Sequence, residues 1–168
     1  MSRISTFARR YPIPAYAATA YTFSWVAWGL QYLQPDPMGP VGTLLFLIGG
    51  LGPLVAGVIV ALLVGSFDGF RDRLFRWRVS PVWYVVSIGG PLVGLVTLVA
   101  IDSVLSDGQF RLTGLHPLTT LPGAILIGLV LGGLEEPGWR GFAQARLQKR
   151  HNALVASGIV AVMWVVWH

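Results

Sequence analysis

Leu131-Gly-Gly-Leu-Glu135-Glu136-Pro-Gly-Trp139-Arg140-Gly-Phe142 ends the apolar run Leu118 to Leu134 with two adjacent carboxylates and an arginine. Ionisable groups at membrane depth cost about 3 kcal/mol each even by the lower estimates, so such residues have a partner or a task. On a helix, Glu136 and Arg140 lie four apart and can pair on one face. Glu135 points about 100° away from Glu136, toward a different neighbour. One carboxylate can thus be tied up structurally while the other stays free for chemistry. The remaining ionisable group able to reach it from inside an apolar run is His168.

Working outward, the composition sets the class. Of 168 residues, 54% are hydrophobic and 11% charged, and the mean hydropathy is +0.66. A soluble domain is about a quarter charged. The expected fold is therefore all-α, a polytopic transmembrane bundle of about five helices in one integral-membrane domain spanning residues 1–168. The net charge is +5 and the pI near 10.2, almost wholly from arginine. The arginines cluster in short loops, so membrane orientation accounts for them and nucleic acid is not an expected partner. The absence of cysteine excludes disulfides, a thiol nucleophile and thiolate metal sites. The N-terminal apolar stretch is too long for a cleaved signal peptide, and no small-residue cleavage pattern follows it.

Five apolar segments are expected as spans: Ala15 to Leu33, Val41 to Val64, Val82 to Ile101, Leu118 to Leu134 and Ala153 to His168. The second is interrupted by Gly49-Gly50-Leu51-Gly52-Pro53, where proline kinks the helix and the glycines admit close packing. Arg71-Asp-Arg-Leu-Phe-Arg-Trp-Arg78 reads as an interfacial amphipathic helix. Asn152 is placed to cap the last helix. Trp139, Phe142, Trp164 and Trp167 read as packing or interface anchors. His116 and His151 read as solvated. Lysine and arginine number three before the first span, none before the second, four before the third, one before the fourth and four from Arg140 to Arg150. That alternation predicts a cytoplasmic N-terminus in the plasma membrane and puts the glutamates near the cytoplasmic face.

Glu135-Glu136-x-x-x-Arg140 followed by Trp164-Val-Val-Trp-His168 resembles the CAAX-protease and bacteriocin-processing family of intramembrane endopeptidases, also called the abortive-infection or type II CAAX prenyl endopeptidase family. The wording Glu-Glu-Pro-Gly-Trp-Arg-Gly-Phe, then Ala145-Arg146-Leu147-Gln148, is similar to its bacterial and archaeal members. The resemblance is specific from about Gly128 onward and general upstream. It implies that Glu135 and His168 activate the attacking water and that Glu136 and Arg140 support the site. The implied substrate is a peptide or membrane-anchored protein at the bilayer. For Glu135 and His168 to meet, the Arg146 to His151 segment must continue as helix or lie outside the bilayer, because His168 sits 16 residues, roughly 24 Å, into its helix. The family's third motif, a histidine followed four residues later by asparagine or aspartate on a later helix, supplies the oxyanion side. It does not occur before His168. The chain is therefore expected to be the N-terminal and central part of such a domain, or a pseudo-enzyme remnant, and inactive by itself.

A metal stays open at this level. Glu135 and His168 could ligate zinc, which takes three protein ligands and a water in catalytic sites, and a metal-free glutamate mechanism is equally compatible. The rival function is a non-catalytic membrane scaffold or bacteriocin-immunity-like protein in which Glu136 and Arg140 form a buried structural pair. A transporter fragment is the third reading, but it would more often show a repeated half with a matching broken helix, and none is evident.

Overall fold

The computed structural model describes residues 3–76, 78–105, 128 and 132–168. Among them every regular element is helical and no strand occurs, as the all-α reading expects. In chain order these are α1 (Arg3–Arg10), α2 (Pro12–Tyr32), α3 (Pro40–Gly50), α4 (Gly52–Leu63), α5 (Phe67–Leu74), α6 (Pro81–Leu105), α7 (Gly133–Glu136), a π-helical segment (Pro137–Gln144), α8 (Ala145–Leu147) and α9 (Ala153–Trp167). The chain divides into two compact units, Met1–Phe75 with Ala124–His168, and Arg76–Gly123.

Proline and local caps set the boundaries in the first unit. Pro12, Pro40 and Pro53 occupy first-turn positions, where a missing N–H leaves no bond unmade. α4 ends at Gly65, whose φ of 69° is the left-handed conformation that glycine adopts without a Cβ penalty. Ser66 N then donates to Ala61 O at 2.8 Å and Gly65 N to Leu62 O at 3.1 Å, closing the last turn. α9 starts at Asn152, whose side chain accepts from Val155 N at 2.9 Å, as the sequence predicts. The helix read at Arg71 to Arg78 instead runs Phe67–Leu74, because Phe70 turns inward to the core and pulls the helix upstream.

The core of this unit is aromatic. Tyr16 of α2 lies 5.4 Å from Trp139 and 5.3 Å from Phe142, centroid to centroid. Phe70 meets Phe142 at 6.2 Å, and Trp139 meets Trp167 at 6.0 Å. Each such pair adds about 0.5–1.5 kcal/mol beyond the area it buries. Glycines bring the backbones together. A Cβ at Gly52 would strike the Ser24 hydroxyl, and one at Gly138 would strike the Pro53 carbonyl.

Among the described residues no single helix is long and apolar enough to cross a membrane; α3 and α4, bent by 42° across Leu51, pass that test together. The break falls in the Gly49 to Pro53 run, where the sequence places it. α2 covers the expected first span as far as Tyr32, but Thr19, Thr22, Ser24, Gln31 and its tyrosines lower its hydropathy. The expected third span falls within α6, where Thr97 and Ser103 hydroxyls donate back to the Val93 and Val99 carbonyls at 2.8 Å each. The expected fourth span lies outside the described residues except for Gly128 and 132–134. The fifth is α9, of 15 residues.

Candidate functional site

Pro137 lacks an N–H, and the backbone after it coils more widely, as a π-helix over Pro137–Gln144. Gly138, Trp139, Phe142 and Ala143 face inward, a repeat of four. Arg140 is left outside, where its Nη1 reaches Glu136 Oε1 at 2.9 Å. The Arg140 and Glu136 side chains are 54% and 49% exposed, so the pair that the scaffold reading takes as buried is a half-exposed one. The physical reason is that Trp139 and Phe142 take the inward positions on that turn. π-helical turns occur frequently at functional sites.

Glu135 diverges from Glu136, as adjacent helical residues must. It is partly buried and faces α9, where Trp164 Nε1 donates to its Oε2 at 2.9 Å. Further along the same hairpin, Gln144 Nε2 donates to Ser157 Oγ at 3.2 Å. α8 continues the helix to Leu147 before the chain turns over Gln148–Arg150 into α9, so the hairpin is long enough to bring the residues into register. His168 lies one turn beyond Trp164. Their rings are 4.2 Å apart, and His168 Nδ1 lies 3.0 Å from Trp164 O. A carbonyl only accepts, so this bond puts a proton on Nδ1, and in a neutral ring Nε2 is the acceptor. Trp164 therefore touches both Glu135 and His168.

Glu135 and His168 line one cavity of about 440 Å³. α2 contributes Trp28, Gln31 and Tyr32 to its wall, α3 contributes Phe46 and Gly50, and Trp167 closes it beside His168. The end of α9 that carries the histidine is held by side chains of α2. Trp167 Nε1 donates to Ser24 Oγ at 2.7 Å, and Ser24 Oγ donates to Gly49 O at 2.7 Å. Trp25 Nε1 donates to Trp167 O at 3.0 Å, and Tyr21 OH to Met163 O at 2.8 Å.

All four residues singled out by the motifs are thus near this hairpin, but only Glu135 and His168 line the cavity. Glu136 and Arg140 form the wall of a separate depression with Arg73 and Gly141. Trp164, read as a packing or interface anchor, packs against the His168 ring and also donates to the Glu135 carboxylate. Its place one turn before His168 on the same helix face was the available signal. The contribution of α2 carried no sequence signal. Trp139 and Phe142 are packing residues, as read.

The donor set bears on a metal. Among the described residues no three His, Cys, Asp or Glu side chains come together as a metal site. Glu135 and His168 are two donors where catalytic zinc takes three protein ligands, so these residues do not by themselves fit that ion.

A family model for "Type II CAAX prenyl endopeptidase Rce1-like" matches residues 117–168, which include Glu135, Glu136, Arg140 and His168. The chain is also similar to "CAAX prenyl protease 2" of Methanococcus maripaludis, 23% identical over 169 residues, covering 95% of this chain and 62% of the relative. The chain thus spans less than two thirds of the length of the curated relative it matches. No solved structure matches. Both motifs that carry the resemblance lie within the segment that the family model matches.

Proposed function

We propose that this Rce1-like chain is an intramembrane endopeptidase of CAAX type, in which Glu135 and His168 act on one water. The observation that carries the reading is that both residues line one cavity within the segment that matches the family. The indole of Trp164 occupies Glu135 Oε2, so the other carboxylate oxygen is directed to the water. The water attacks the peptide carbonyl carbon and its proton passes to Glu135, with His168 Nε2 accepting the second water hydrogen bond. The tetrahedral intermediate then loses the amine as the proton held by Glu135 moves to the leaving nitrogen. Such general acid–base transfer is worth about 10²–10⁴ in rate. Glu136 and Arg140 hold the turn that aims Glu135.

The substrate in this reading is a peptide or membrane-anchored protein whose cleaved bond lies near the cytoplasmic membrane face. The aromatic wall of Trp28, Tyr32, Phe46 and Trp167 suits an apolar substrate group. The bilayer is the partner, and the chain is a single multi-pass domain of the plasma membrane with its N-terminus in the cytoplasm. The charge alternation supports that orientation. A cysteine introduced at Ser80, in a chain with none of its own, should be shielded from an impermeant reagent outside intact cells; labelling would reverse the orientation.

The catalytic reading is tested in lipid nanodiscs with an internally quenched peptide, prenylated or not, on a protein that carries the family's third motif after His168. Glu135→Ala and His168→Ala should each abolish cleavage without changing the unfolding temperature. The double variant should lose no more than either single one, because residues acting on one water are non-additive. Wild-type turnover by the Glu135→Ala protein would remove the proposed base.

A further inference from the structure

A second cavity, of about 310 Å³, lies where the α1–α2 junction meets the connection between α8 and α9. Arg10 lines it from one side and Arg146, Lys149 and Arg150 from the other, with His151 beside them. No aspartate or glutamate is among its lining residues. Four cations around one hollow without a carboxylate repel one another, and an anion between them would relieve that repulsion.

Arg146 shows the same deficit at one side chain. Its guanidinium is fixed by the Ser66 hydroxyl, which accepts from Nη2 at 2.6 Å, and by the Phe142 ring at 4.6 Å. Its Nε is buried and has no hydrogen-bond partner among the described residues. Burial, and then the nearby Arg73, hold its pKa below the usual arginine range. A half-buried guanidinium with an unmade donor, beside Arg73 and with no carboxylate among the described residues lining the cavity, lacks its counter-ion.

The opposite wall is apolar and continues onto an exposed surface. Tyr11, Pro12, Ile13 and Pro14 line the cavity. Phe7 of α1 lies 5.4 Å from Tyr11, ring to ring, and is 52% exposed, while Ile4 on the same helix is 69% exposed. α1 thus presents apolar rings beside Arg9 and Arg10 at its end, the make-up of a helix that lies in a membrane interface. A molecule with an anionic head and apolar chains matches both walls.

We infer that this cavity binds a phosphate group, carried by an anionic phospholipid whose head sits among Arg10, Arg146, Lys149 and Arg150 and whose chains lie along Tyr11 and Phe7. The site is separate from the cavity of Glu135 and His168, and its occupancy does not require the chain to cleave anything.

The probes are dioleoyl-phosphatidylglycerol and dioleoyl-phosphatidylcholine, titrated into the protein in a neutral detergent and read by native mass spectrometry. Inorganic phosphate is titrated in parallel and read by thermal unfolding. Lys149→Ala with Arg150→Ala removes two exposed cations whose hydrogen bonds among the described residues are main-chain ones that alanine keeps. Arg76→Ala with Arg78→Ala removes the same charge from positions that do not line the cavity. Phosphatidylglycerol should bind in preference to phosphatidylcholine. The first double variant should weaken it roughly tenfold or more, the scale of a lost hydrogen bond to a charged group, and the control pair should leave it within about twofold, the spread expected for a charge outside the site. Phosphate that stabilises the protein through the same two residues would support the site with a soluble carrier. Equal binding of both lipids with no response to phosphate, or equal loss in the two double variants, would overturn it.

Discussion

Gly138 is the position where a single methyl group should report on how the site is held. A Cβ there would strike the Pro53 carbonyl oxygen and lie 2.6 Å from the Tyr16 hydroxyl. Neither neighbour can give way. The carbonyl is backbone at the start of α4, and Tyr16 is fully buried between Trp139 and Phe142. The cost of Gly138→Ala should therefore fall at the upper end of the about 1–3 kcal/mol typical of overpacking, less the roughly 1 kcal/mol by which alanine favours helix over glycine. The net loss is about 2 kcal/mol, or an unfolding temperature lower by roughly 4–8 °C in a chain of this size. Gly158 on α9 supplies the internal comparison. A Cβ there meets nothing within 4 Å, so Gly158→Ala should keep the propensity gain and raise the unfolding temperature by about 2–4 °C. Both variants are measured by tryptophan fluorescence on heating, in one detergent. A Gly138→Ala protein as stable as the wild type would refute the close approach of α4 to the π-helical segment, and with it the account of what places Glu135.

Trp164→Phe keeps a ring against His168 but removes the N–H that Glu135 accepts. With Trp164 41% exposed, water replaces much of that bond, so stability should fall by less than about 1 kcal/mol. In a protein that carries the family's third motif after His168, turnover should fall by about 10²-fold with little change in KM, the cost of misplacing a reacting group by about 1 Å; kcat within twofold of wild type would deny Trp164 a positioning role. The half-exposed Glu136–Arg140 pair should show a coupling of only about 0.2–1 kcal/mol in a double-mutant cycle with Glu136→Gln and Arg140→Gln. A coupling above about 3 kcal/mol belongs to buried pairs and would contradict the exposure of both side chains.

The features legible in the sequence are those decided within a turn or two of chain. Glu136 and Arg140 pair because residues four apart share a helix face. Asn152 caps α9 because its side chain reaches an N–H three residues on. The second apolar segment breaks at Gly49 to Pro53 because that run weakens the helix locally. Helical class itself follows from long apolar runs that must satisfy their own backbone.

What the tertiary structure decided involves partners far apart in the chain. Ser24 and Trp167 are 143 residues apart, and Glu135 and Trp164 are 29 apart. Whether Trp164 holds a carboxylate as well as packing depends on where the hairpin turns, and that depends on the π-helical segment and on the length of α8. Whether the Glu136–Arg140 pair is buried depends on which side chains of the same turn, Trp139 and Phe142, find an aromatic core to enter. Spacing names the residues that can meet along one helix. It carries no information on which other helix arrives opposite them, because that choice is made by volume and hydrogen-bond matching across the whole core. Glu135 and His168 are each visible in the sequence; the cavity they share exists only because Ser24, Trp25 and Tyr21 of α2 fix the far end of α9 against it.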